Sequence, residues 1–136
     1  MSPISNRADL ENGLKIRVLL VDGNEVFLRA AADFLQRQSE LIVVGVICGG
    51  EDILTQAQDL GPQVFLVGLD RPGLETISRL RNVLPDVGII ALSLLEGDTY
   101  RQAAVAAGAD DLVRKEELIT DLLPAVRRVM RARRSR

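Results

Sequence analysis

The chain has 136 residues, with 17 lysines and arginines against 19 aspartates and glutamates, and it is 47% hydrophobic and 26% charged. That is the composition of a globular chain long enough for one hydrophobic core. It contains no histidine and one cysteine, which excludes Ser-His-Asp and Cys-His catalysis, His-Cys zinc sites, a phosphohistidine relay and an intrachain disulfide.

Five aliphatic runs alternate with five segments of helical period. The runs are Ile16–Val21, Leu41–Ile47, Val64–Leu69, Val87–Leu92 and the weaker Asp111–Val113. All but the last are nearly continuous in Val, Ile and Leu, the pattern of parallel strands covered on both faces. The first helix is expected to be capped by Asn24 and to pack through Val26, Phe27, Ala30, Ala31, Phe34 and Leu35. The second spans Glu51–Leu60, presents Ile53, Leu54, Ala57 and Leu60, and stops at Gly61-Pro62. The third follows Pro72-Gly73 with Leu74, Ile77, Leu80 and Leu84. The fourth places Tyr100, Ala103, Ala104 and Ala107 on one face and ends at Gly108. The fifth repeats Leu118, Ile119, Leu122, Leu123, Val126, Val129 and Met130. Pro124 predicts either a kink in that helix or its true start.

A fivefold β-α repeat with right-handed crossovers predicts an α/β fold, a doubly wound five-stranded parallel sheet in a three-layer sandwich. The expected division is an N-terminal extension over 1–14, one domain over 15–130 and an Arg-rich tail or linker over 131–136. The longest apolar run, Leu41–Cys48, is far short of the roughly 18–20 residues that cross a bilayer. The N-terminus shows no signal pattern, so a cytoplasmic domain without membrane contact is expected. Residues 127–136 carry six arginines and no acid, leaving 11 bases and 19 acids in the first 126 residues. The basic end attracts phosphate backbones without reading sequence, and no helix-turn-helix, zinc motif or aromatic platform accompanies it. Cys48 ends an apolar strand and reads as an inert buried thiol.

In sheets of this kind the functional crevice lies at the carboxyl ends of the strands. Strand one ends in Asp22-Gly23-Asn24, strand three in Gly68-Leu69-Asp70, strand four in Ser93 and strand five in Arg114-Lys115. An acid, a hydroxyl and a cation meeting there suit the handling of phosphate.

These residues, in this order, resemble the receiver domains of two-component response regulators, with the CheY-like fold and NarL/LuxR-type features. The likeness covers about residues 15–130. It rests on Leu19-Leu-Val-Asp22, Leu41-Ile-Val-Val-Gly45, Pro62 through Gly73, Leu84-Pro85-Asp86-Val87, Ala91-Leu92-Ser93 and Gly108 through Lys115.

The resemblance implies a phosphoacceptor aspartate at the end of strand three, and that position holds Gly68. The second acid of the first-strand pair falls on Gly23. Ser93 matches the switch hydroxyl, Leu112 stands at the switch aromatic, and Lys115 matches the family lysine. Glycine carries no nucleophile, and one carboxylate, Asp22, makes a poor Mg²⁺ site, so no cofactor and no enzymatic activity are expected. Asp70 is a candidate substitute acceptor; Lys115 pairing with Asp22 or Asp70 is favoured over that rescue.

The reading is thus a pseudo-receiver in phosphorelay signalling, acting by protein–protein contact or homodimerisation. The resemblance suggests pairing through helix four, strand five and helix five, or through helices one and five. A histidine kinase pathway is a possible partner system, with nucleic acid reached only through an output domain outside this chain. Two alternatives stand beside it: a conventional phosphoacceptor receiver regulating transcription, and a small-molecule module using the vacant crevice.

Overall fold

A computed structural model describes residues 15–49 and 52–134. The 1–14 extension, Gly50-Glu51 at the start expected for the second helix, and Arg136 lie outside the described residues.

The chain alternates β1 (Ile16–Asp22), α1 (Glu25–Gln36), β2 (Leu41–Cys48), α2 (Ile53–Leu60), β3 (Val64–Gly68), α3 (Leu74–Val83), β4 (Gly88–Ser93), α4 (Asp98–Ala107), β5 (Asp111–Arg114), a 3-10 turn (Lys115–Glu117) and α5 (Leu118–Arg134). The five strands form one sheet in the order β2-β1-β3-β4-β5, and every neighbouring pair is parallel. This is the α/β three-layer sandwich expected from the aliphatic runs.

Strand periodicity divides the core in two. Val18, Leu20, Leu66, Ile90 and Leu92 pack with Leu28, Ala31 and Leu35 of α1 and Leu122, Ala125, Val126 and Val129 of α5. The alternate residues, Leu19, Val21, Phe65, Val67, Ile89 and Ala91, meet Ile53, Ala57, Ile77, Leu80 and Ala104 on the other face. Alternate strand residues point to opposite faces, and both faces carry helices, so β1, β3 and β4 read as nearly continuous apolar runs.

Four helix faces differ from expectation. α1 buries Leu28, Ala31 and Leu35, whereas Val26 is 79% exposed. The helix meets the sheet along a stripe turned away from Val26, which apolar character alone does not reveal. Leu74 on α3, Tyr100 on α4 and Ile119 on α5 are also exposed. Cys48, expected to be buried, is exposed on the outer strand.

Pro124 lies inside α5, which begins at Leu118. The helix runs on through residues 131–134, so the stretch expected as a tail is largely its last turn. Arg133 binds Asp110 through Nη2 at 2.6 Å and donates to the Pro85 carbonyl at 3.0 Å. Arg128 holds Asp111 at 2.9 Å. Arg127 forks onto Glu40, its Nε donating at 3.0 Å. Arg127, Arg128 and Arg133 are therefore engaged by acids of the body, and a nucleic-acid phosphate would have to displace those acids.

Candidate functional site

Asp22 closes β1, and its side chain is almost wholly buried on the α1–α5 face of the sheet, two residues beyond Leu20. Its Oδ1 accepts from the Asn24 backbone N–H at 2.8 Å. Its Oδ2 lies 2.6 Å from Lys115 Nζ. That is a contact between charges rather than an aligned hydrogen bond, because no donor points correctly at Oδ2. Lys115 enters from the 3-10 turn after β5, its side chain 7% exposed. Its ammonium stands 4.4 Å above the centre of the Phe27 ring. The cation thus has an anion on one side and an aromatic face on another.

Gly68 ends β3 one step beyond the Val21–Val67 register pair, which sets it beside Asp22. A Cβ built on Gly68 would overlap Asp22 Oδ2 and the Arg71 carbonyl oxygen, and would stand 2.8 Å from Asp22 Cγ. The place where a side chain would leave β3 is filled by the neighbouring carboxylate and by the loop. That loop is held by two backbone bonds: Gly23 donates to the Arg71 carbonyl at 3.1 Å, and Gly73 donates to the Gly68 carbonyl at 3.0 Å. Gly73 has φ +94°, a conformation that suits glycine. A Cβ on Gly23 would come within 2.6 Å of Arg71 Cβ, so the second acidic position is also closed by the loop.

Ser93 is buried at the end of β4. Its Oγ donates to the Leu95 carbonyl at 2.8 Å and accepts from the Leu95 N–H at 3.0 Å. Both bonds fold the β4–α4 connection back on itself, leaving Leu94 and Leu95 exposed. Leu112 is buried in the core layer beneath α4 rather than placed at the crevice. Asp70 is exposed in the β3–α3 loop. It shares with Asp22, Gly23, Asn24, Glu25, Arg71, Leu94 and Lys115 the lining of a cavity of about 410 Å3.

The sheet order, the strand-end residues and the crevice match one family along most of the chain: residues 18–127 fit the model of the response regulator receiver domain. The chain belongs to that family. It is 29% identical over 118 residues to the response regulator protein VraR of Staphylococcus epidermidis, covering 85% of this chain and 56% of the relative. The VraR of Staphylococcus aureus is 29% identical over 121 residues, covering 87% and 58%. The chain thus spans little more than half the length of these relatives.

Among solved structures, the receiver domain of a putative NarL from Mycobacterium tuberculosis superposes with a TM-score of 0.75 at 22% identity, covering 90% of this chain and 98% of that one. The response regulator domain of Thermotoga maritima CheB gives 0.75 at 26%, covering 86% and 97%. RcsB of Salmonella typhimurium gives 0.79 at 19%, covering 87% and 61%. The protein is a two-component response-regulator receiver domain with the CheY-like fold.

Within this receiver, Asp22, Gly23, Gly68 and Lys115 stand together around the crevice, and Ser93 closes the neighbouring strand. Leu112 does not join them. The sequence left open whether Lys115 meets Asp22 or Asp70, and it meets Asp22. Sequence reasoning missed Phe27 and the Arg71 carbonyl. Phe27 was read as a core residue, and its position at the first turn of α1, beside the end of β1, was the available signal. No sequence signal marks a backbone carbonyl.

Proposed function

We propose that this receiver acts without accepting a phosphoryl group, through contact with a protein partner or a second copy of itself, in the cytoplasm. What carries the reading is the filled position at Gly68. There is no nucleophile on that residue, and the space above it holds the Asp22 carboxylate, neutralised by Lys115. Phosphoryl transfer needs a free carboxylate, a cation available to the incoming oxygens and hard ligands for Mg²⁺. Here Lys115 already has its anion. Asp22 is the one acid left at the family's ligand positions, and the ammonium occupies its Oδ2 side. These residues do not fit Mg²⁺.

The switch hydroxyl is likewise committed, since Ser93 Oγ is bonded twice to Leu95. In such a domain the surface a partner sees is set by folding rather than by a chemical event. Coupling to a histidine kinase system or to a DNA-binding output would then run through docking. The experiment is intact mass spectrometry after incubation with acetyl phosphate and Mg²⁺, quenched in acid. An unchanged mass is expected. An alkali- and hydroxylamine-labile phosphoryl adduct would overturn the proposal, and peptide mapping to Asp70 would establish the conventional reading in its place.

A further inference from the structure

The exposed side of α1 and its cap carry an alternating series of charges at four-residue spacing: Glu25, Arg29, Asp33 and Arg37. All four side chains are at least 63% exposed, and they pair only along the helix, Arg29 with Glu25 at 3.4 Å and Arg37 with Asp33 at 3.1 Å. Each step of four residues carries the charge about 40° further round the helix, so the four form one inclined ridge, about 18 Å long along the axis. Read backwards, the series is the complement of itself. An antiparallel copy of α1 therefore sets Glu25 against Arg37 and Arg29 against Asp33, each twice, about a two-fold axis near Ala31. A parallel copy in register would oppose like charges at every step.

The ridge borders a groove of about 620 Å3 between α1 and β2, with Leu28, Ala32, Val46 and Cys48 among its lining. β2 is the outer strand of the sheet. Its eight residues include no charge and no proline, and Val46 is 45% exposed. Soluble proteins usually blunt an edge strand with charge, proline, shortness or a bulge; this strand has one register shift, where Val18 pairs Val43 and Leu19 pairs Gly45, and none of the other three. Covering the groove buries apolar surface, and the charge series fixes orientation and register.

We propose that the α1–β2 edge is a self-association surface whose partner is a second copy of this chain, with the two α1 helices antiparallel. The inference rests on the reading that the domain works by protein contact, and it names the partner and the surface. The in-helix pairs are exposed and weakly held, so they exchange readily for pairs across the axis.

The test is sedimentation equilibrium of the whole chain, with and without acetyl phosphate and Mg²⁺. A dimer is expected in both buffers, weakening as salt rises. Arg29→Glu and Asp33→Arg each place like charges across the axis and should weaken self-association about tenfold or more. Mixing the two variants places opposite charges across it again and should restore dimers, with circular dichroism confirming that both remain folded. A monomer at high concentration in both buffers, a dimer indifferent to both substitutions, or no recovery on mixing overturns the surface; a monomer without a phosphoryl adduct leaves phosphorylation independence standing. A dimer that appears only with the phosphodonor, and recovers on mixing, overturns that independence and keeps the surface.

Discussion

Lys115 and Asp22 form an ion pair, 2.6 Å from Nζ to Oδ2, inside a crevice where both side chains are more than nine-tenths buried. The pair closes the space beside Gly68, and the Phe27 ring backs the ammonium. The pair is a strut between the ends of β1 and β5. A buried pair of this kind is sensitive to the loss of one member, because the survivor is left charged without a partner.

Asp22→Asn and Lys115→Met are each expected to destabilise the fold by about 3–5 kcal/mol. The double variant should lose less than the sum of the two, since no charge is then stranded. Urea denaturation of the four chains, read as a double-mutant cycle, measures the coupling; strict additivity would show that the two groups do not act as a pair.

An acid placed at residue 68 is expected not to accept a phosphoryl group. Gly68→Asp should destabilise by about 1–3 kcal/mol from overpacking alone, with repulsion from Asp22 added, and should show no phosphoryl adduct. Gly68→Ala isolates the steric part, because its Cβ would already overlap Asp22 Oδ2 and the Arg71 carbonyl. Stability of Gly68→Ala equal to the parent would mean that the loop gives way without loss.

Stability should fall with acid through two carboxylates far from the crevice. Burial pushes Asp111 up, but hydrogen bonds from Arg128, the Leu112 N–H and Arg101 outweigh it and hold the group below its usual value of 3.8. The Arg127 fork lowers Glu40 from 4.5. A lowered folded-state value means that the unfolded chain takes up protons first as pH drops. The stabilisation is therefore fully present above those ordinary values and is lost as pH falls below them. Denaturant midpoints between pH 7 and pH 3 measure this, and Asp111→Asn should flatten the acid limb.

Ser93→Ala removes both bonds to Leu95 and should cost about 0.5–1.5 kcal/mol. The sharper readout is hydrogen exchange at the Leu95 amide, which should speed up in the variant while amides in β3 stay protected. Unchanged exchange at Leu95 would mean that the turn is held by something other than the hydroxyl.

What the sequence determined by itself was whatever depends on neighbours along the chain. Continuous aliphatic runs between amphipathic segments required a parallel sheet with two helical layers. The residues at the strand ends placed Asp22, Gly68, Ser93 and Lys115 near one another, because a parallel sheet brings its carboxyl ends to one edge. The lack of a nucleophile at Gly68 was legible too, since a glycine has no side chain wherever it is put.

Only the tertiary structure decided what fills the space beside Gly68 and where the terminal arginines went. Arg127 reaches Glu40 from 87 positions away, and the match depends on how α5 lies against the turn before β2. The same holds for Lys115 choosing Asp22 over Asp70. Val26, Tyr100 and Ile119 were placed on buried faces because apolar character marks a helix face only to within a residue or so. The packing angle against the sheet sets the rest. Hydrophobic period is a local property of the chain, whereas the partner of a charge is fixed by distances that exist only after folding.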